Sequence, residues 1–109
     1  MSALPTRPSR ATLVTEAEEP TRLTAWLRGR VQGVGMRWWI RSRALERGLV
    51  GSARNTDDGR VEVVAEGPRE AVEEFLEALR DAAGRPGHVT AVTERWSQGT
   101  GDLSGFQER

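Results

Sequence analysis

The residues of this chain best suited to chemistry lie together, in Gly29-Arg30-Val31-Gln32-Gly33-Val34-Gly35-Met36-Arg37. Three glycines within seven positions allow a tight turn with φ > 0, where a Cβ would clash. With no Cβ in the way, the N–H groups of Val31, Gln32, Gly33, Val34, Gly35 and Met36 can face one concavity, a nest suited to an anion. A helix beginning near Gly35 adds free N–H groups and the positive end of its dipole. Arg37 falls in that helix's first turn. Helical side chains lean toward the N-terminus, so its guanidinium can fold back over the nest. Oriented amides under a two-pronged cation suit a phosphate group. On spacing alone, the same letters also fit a tight strand-to-helix turn that binds nothing.

Such a cradle needs a strand before it and a helix after it. From Thr21 to Arg28 the pattern alternates, with Leu23, Ala25 and Leu27 on one face and Thr24, Trp26 and Arg28 on the other. From Gly35 to about Arg47, Met36, Trp39, Ile40 and Ala44 form an apolar stripe at helical spacing, and Gly48 suits the position after a helix end. Trp38 lies off that stripe beside Arg37, and its position suggests a shield for the helix flank rather than a wall of the cradle. Leu49 to Asn55 reads as a second strand. Thr56-Asp57-Asp58-Gly59 reads as a turn, with Asp58-Gly59 as the hairpin dipeptide. A third strand alternates through Val61, Val63 and Ala65. Gly67-Pro68 then opens a second helix with Val72, Phe75, Leu76 and Leu79 inward and Glu70, Glu73, Glu74, Glu77 and Asp81 outward. Val89 to Trp96 reads as a fourth strand and Phe106 to Glu108 as a short last one. The order β-α-β-β-α-β, with one apolar face on each helix, predicts a ferredoxin-like α/β sandwich: an antiparallel sheet with both helices on one face.

With 109 residues, the chain suits one domain, residues 21–109. Residues 1–20 are rich in Pro, Thr, Ser and Glu without apolar periodicity and read as a disordered tail. Neither an apolar run that could span a bilayer nor a secretory leader is visible, so a cytoplasmic protein is expected. There is no cysteine and one histidine, His88, which leaves no thiol chemistry and no zinc set; no metal and no cofactor are expected. There is no lysine either, so a Walker-type loop is impossible, and glycines at 29, 33 and 35 do not make a dinucleotide fingerprint. The net charge is zero, but residues 21–48 hold seven arginines against one glutamate, while residues 49–109 hold seven arginines against twelve acids. That asymmetry favours an anionic ligand near the glycine loop. Arg41, Arg43 and Arg47 are expected to point to water.

The glycine loop through Arg37 closely resembles the signature of the acylphosphatase family, with Met36 where the family has phenylalanine. The likeness runs from about Leu23 to the C-terminus. It includes Gly48-Leu49-Val50-Gly51-Ser52-Ala53-Arg54-Asn55 followed by Asp58-Gly59, similar to the family's Gly-Leu-x-Gly-Trp-Val-x-Asn stretch and Asp-Gly turn. The resemblance implies that Arg37 holds the phosphate and that Asn55 orients the attacking water. Ser52 and Ala53 depart from Trp-Val and remove apolar bulk that Trp39 is placed to replace in part. Trp38-Trp39 is heavier than usual, and Gly-Phe-Gln-Glu-Arg matches the family's closing strand only loosely. None of these departures is expected to touch Arg37 or Asn55.

The implied reaction is hydrolysis of a small acyl phosphate, with inorganic phosphate as a product. The leaving carboxylate has an ordinary pKa of ~4.3 and departs without a general acid, so binding the phosphoryl oxygens and placing a water in line would suffice. Asn55 offers an amide donor and a carbonyl acceptor for that water. Taken alone, Asn55 beside Thr56-Asp57-Asp58-Gly59 is a turn residue; its pairing with Arg37 in the family pattern favours the catalytic role. A monomer is expected. One rival is a non-catalytic ferredoxin-like module that binds an anion or a nucleic acid, with Trp26 or Trp38 for stacking. Nucleic acid is disfavoured because no aromatic motif stands on the third strand and the second half is acidic. A second rival is a domain serving a larger carbamoyl-transfer machine.

Overall fold

The computed structural model describes residues 20–109, so all but Pro20 of the expected tail lies outside the described residues. Seven elements follow one another: β1 (Thr21–Arg30), α1 (Met36–Glu46), β2 (Val50–Asn55), β3 (Val61–Gly67), α2 (Arg69–Arg80), β4 (His88–Gln98) and β5 (Phe106–Glu108). The strands lie in the order β4-β1-β3-β2-β5. β1 pairs antiparallel with both β3 and β4, and β2 pairs antiparallel with β3. This is the expected ferredoxin-like sandwich with one refinement. β5 runs parallel to β2, which makes the sheet mixed rather than wholly antiparallel. A segment three residues long carries no pattern that fixes its direction. Main-chain bonds from Gly51 N–H to the Gly105 carbonyl and from Arg109 N–H to the Ala53 carbonyl bracket this pair, at 2.9 and 2.7 Å.

Period-two alternation decides which side of the sheet is dry. Leu23, Ala25 and Leu27 of β1, with Val61, Val63 and Ala65 of β3, are fully buried. Against them lie Met36, Trp39, Ile40 and Ala44 of α1 and Val72, Phe75, Leu76 and Leu79 of α2, the two stripes read from helical spacing. Phe106 anchors β5 by an edge-to-face contact with Phe75, centroids 6.4 Å apart, a geometry worth about 1 kcal/mol beyond the area it buries. The hairpin between β2 and β3 is longer than a two-residue turn. Asn55 still pairs with Val61, Thr56 N–H bonds the Arg60 carbonyl at 2.9 Å, and Gly59 takes φ 88°.

The opposite face of the sheet is polar and closely interlocked. Trp26 donates its indole N–H to Glu62 and carries the guanidinium groups of both Arg60 and Arg95 over its ring, at 5.8 and 5.7 Å. Glu66 is buried there, where it accepts from Arg22 Nε at 2.6 Å and from the N–H groups of Thr100 and Gly101. Burial works to raise the Glu66 carboxyl, but the Arg22 bond, then those of Gly101 and Thr100, outweigh it and hold it below the usual range. These bonds hold the β4–β5 connection against the sheet before the chain enters β5. Ser52 faces this side too, beside Val64, Leu103 and Gln107 in an open groove. The bulk missing at Ser52 therefore lies across the sheet from Trp39, while Ala53 and Trp39 share the core.

Candidate active site

The loop between β1 and α1 turns twice through the left-handed region, at Gly33 (φ 74°) and Gly35 (φ 82°), conformations that a side chain would strain. Gly35 caps α1 without a side-chain bond, and no acid occupies the first turn. The first helical bond runs from Trp39 N–H to the Gly35 carbonyl at 3.1 Å, so the N–H groups of Met36, Arg37 and Trp38 remain unused by the helix. Among the described residues, the N–H groups of Gln32, Gly33, Val34 and Gly35 also have no intramolecular acceptor. Rows of unspent donors at a positive helix end are the arrangement expected of an anion cradle.

Beside these donors opens a cavity of about 70 Å³. Val31, Gly33, Gly35, Met36 and Arg37 line it from the loop and the start of α1, and Asn55, the last residue of β2, lines it from the sheet. Arg37 and Asn55, 18 positions apart in sequence, thus line one small space. Gln32 and Val34 do not line it. The Gln32 side chain turns the other way and donates to the carbonyls of Thr56 and Arg60, both at 2.9 Å, which ties the cradle to the turn directly after Asn55. Val34 is half-buried against the core. In that turn, the Thr56 hydroxyl and then Arg60 hold the Asp58 carboxyl at about 2, down from its ordinary 3.8.

Three features depart from the sequence reading. Trp38 is a wall of the cavity and not a shield for the helix flank: it borders the opening and remains 62% exposed. The closing strand does reach the site. Arg37 Nη1 donates to the main-chain oxygen of Arg109 at 2.7 Å, and Glu108 lines the cavity. A strand that starts on buried Phe106 puts Glu108 on the same face two residues later. The direction of β5, which brings that face to α1, has no local signal. Nor do Arg41, Arg43 and Arg47 simply point to water. Arg41 Nε donates to the Phe106 carbonyl at 2.9 Å and so steadies β5, while Arg43 and Arg47 pair with Glu46, and Arg47 reaches Glu74.

A protein-family model described as acylphosphatase matches residues 23–108. The chain belongs to the acylphosphatase family. It is 60% identical over 93 residues to an acylphosphatase of Nocardia farcinica, spanning 85% of this chain and 92% of that one. To an acylphosphatase of Thermobifida fusca it is 62% identical over 91 residues, 84% and 99% of the two chains. Among solved structures, the crystal structure of acylphosphatase from Bacillus subtilis is similar with a TM-score of 0.74 and 35% identity, covering 82% of this chain and 98% of its own. Acylphosphatase activity, hydrolysis of a carboxyl–phosphate bond, is the function these relatives support over most of the chain's length. Of the two tryptophans in the nucleic-acid reading, Trp26 already carries two arginines of its own chain over its ring. Among the described residues, no helix is long and apolar enough to cross a membrane.

Proposed function

We propose that Arg37 and Asn55 are the catalytic pair of this acylphosphatase, and that the amides of residues 31–36 hold the phosphoryl group. The substrate is a small acyl phosphate. Its phosphoryl oxygens take the unspent N–H groups of the loop and the first turn, and the Arg37 guanidinium closes over two of them. The main-chain oxygen of Arg109 holds that guanidinium at the cavity before substrate arrives. Asn55 orients one water by donating to or accepting from it, opposite the acyl oxygen. The water oxygen forms the new bond to phosphorus and the bond from phosphorus to the acyl oxygen breaks. The carboxylate leaves with that electron pair, and both water protons depart with the phosphate. No general acid is needed, because the leaving group is already a weak base.

The observation that carries this reading is that Arg37, Asn55 and a run of unpaired amides border one space of about 70 Å³. Neutralisation by the cradle and Arg37 makes the hydrolysis metal-independent. The protein works as a monomer in the cytoplasm. Purified protein should hydrolyse acetyl phosphate to acetate and phosphate at the same rate with and without EDTA. A rate abolished by EDTA and restored by a divalent cation would contradict the metal-free mechanism.

A further inference from the structure

The cavity bordered by Arg37 and Asn55 has a volume of about 70 Å³. With the phosphoryl group on the loop amides and Arg37, the acyl group lies against the side chains that line the rest of this cavity. Two lining residues belong neither to the glycine loop nor to the pair Arg37 and Asn55: Trp38 and Glu108.

Trp38 differs from the other three tryptophans of the chain. Trp26, Trp39 and Trp96 each carry an arginine over the ring, and Trp26 and Trp96 also give their N–H groups to glutamates. Among the described residues Trp38 has neither kind of partner, and it is the most exposed large apolar side chain, at 62%. An exposed aromatic side chain that lines a polar cavity offers stacking and apolar contact to an acyl group bound there. Glu108 is also exposed and forms no ion pair among the described residues, so its charge is available to a ligand. It repels a second carboxylate on the acyl group and accepts an uncharged one.

We infer that Trp38 and Glu108 form the acyl subsite and select acyl phosphates whose acyl group is aromatic or apolar and carries no second negative charge. This inference rests on the phosphoryl site proposed above. The test compares kcat/KM for benzoyl phosphate, acetyl phosphate and 4-carboxybenzoyl phosphate in wild type, Trp38→Ala, Trp38→Phe and Glu108→Gln, each verified as folded by circular dichroism. Trp38→Ala should lower the benzoyl-to-acetyl ratio by about five- to tenfold, chiefly through KM, and Trp38→Phe should restore most of it. Glu108→Gln should raise the 4-carboxybenzoyl-to-benzoyl ratio by about fivefold. A benzoyl-to-acetyl ratio in Trp38→Ala equal to wild type, with Arg37→Ala losing inhibition by inorganic phosphate, would overturn the acyl subsite alone. Undiminished phosphate inhibition in Arg37→Ala would overturn the phosphoryl site and the subsite with it.

Discussion

The β1–α1 junction and the β3–α2 junction occupy equivalent places in a β-α-β-β-α-β chain, yet they present opposite chemistry. The first spends five residues, 31–35, on a turn through two left-handed glycines and leaves its amides without acceptors. Its helix starts with no acid and with Arg37 as second residue. The second passes from Gly67 to Arg69 through Pro68 alone, which sits at the N-cap and has no N–H to offer. There Val72 N–H bonds the Pro68 carbonyl, Glu70 stands in the first turn, and Arg69 pairs with Glu73. One positive helix end is left for a ligand, while the other is offset by carboxylates of its own chain. The fold thus supplies two helix starts at opposite ends of the sheet, because β1 and β3 run antiparallel, and loop composition decides which one can receive an anion.

Exchange of arginine at the two helix starts should show the largest contrast. Arg37→Ala should lower kcat/KM by about 10³-fold, through both a raised KM and a slower turnover, because the phosphoryl oxygens are charged throughout the reaction. Arg69→Ala should change it by less than about twofold, as surface substitutions do. Asn55→Ala should cut turnover by about 100-fold while inhibition by inorganic phosphate stays nearly intact, since a water-orienting group matters only while bonds change. If the folded variant keeps wild-type turnover, Asn55 is only a turn residue. Gln32→Ala removes both bonds between the cradle and the hairpin and should slow turnover by about tenfold, with a loss of about 1–2 kcal/mol in denaturant unfolding.

The smallest effect concerns acid. Asp58 is lowered to about 2 in the folded chain by the Thr56 hydroxyl and Arg60. A depressed carboxyl contributes stability above its unfolded value, and that contribution fades as pH falls through the folded one. The difference in melting temperature between wild type and Asp58→Asn should therefore be constant from pH 7 to about 5 and vanish between about pH 4 and pH 2. A difference that persists at pH 2 would show that the turn does not depend on the ionised carboxyl.

The sequence made the framework legible because its signals are local. Alternation at Leu23, Ala25 and Leu27, and helical spacing at Met36, Trp39, Ile40 and Ala44, specify period and buried face within a few residues. Arg37 and the glycine loop are contiguous, so the cradle could be read directly, and Asn55 joined it through the family pattern. What escaped depends on contacts between distant segments. Nothing near Phe106 states that β5 runs parallel to β2, and with that direction unknown neither Glu108 nor the main-chain oxygen of Arg109 could be assigned to the site. Trp38 was legible as off the buried stripe, but whether its outer side met solvent or a cavity depended on β2 and β5. Gln32 read as one more amide of the loop, whereas its side chain ties that loop to a hairpin turn more than twenty residues away.

The central claim is that an anion is held at the first helix start and not at the second. Titration of ¹⁵N-labelled protein with inorganic phosphate, followed amide by amide, tests it most directly. The account predicts saturable shifts confined to the N–H groups of residues 31–38 and the Asn55 side-chain amide, with those of Arg69 to Val72 unmoved, and loss of the response in Arg37→Ala. Saturable shifts at Arg69 to Val72, or an undiminished response in Arg37→Ala, would contradict it.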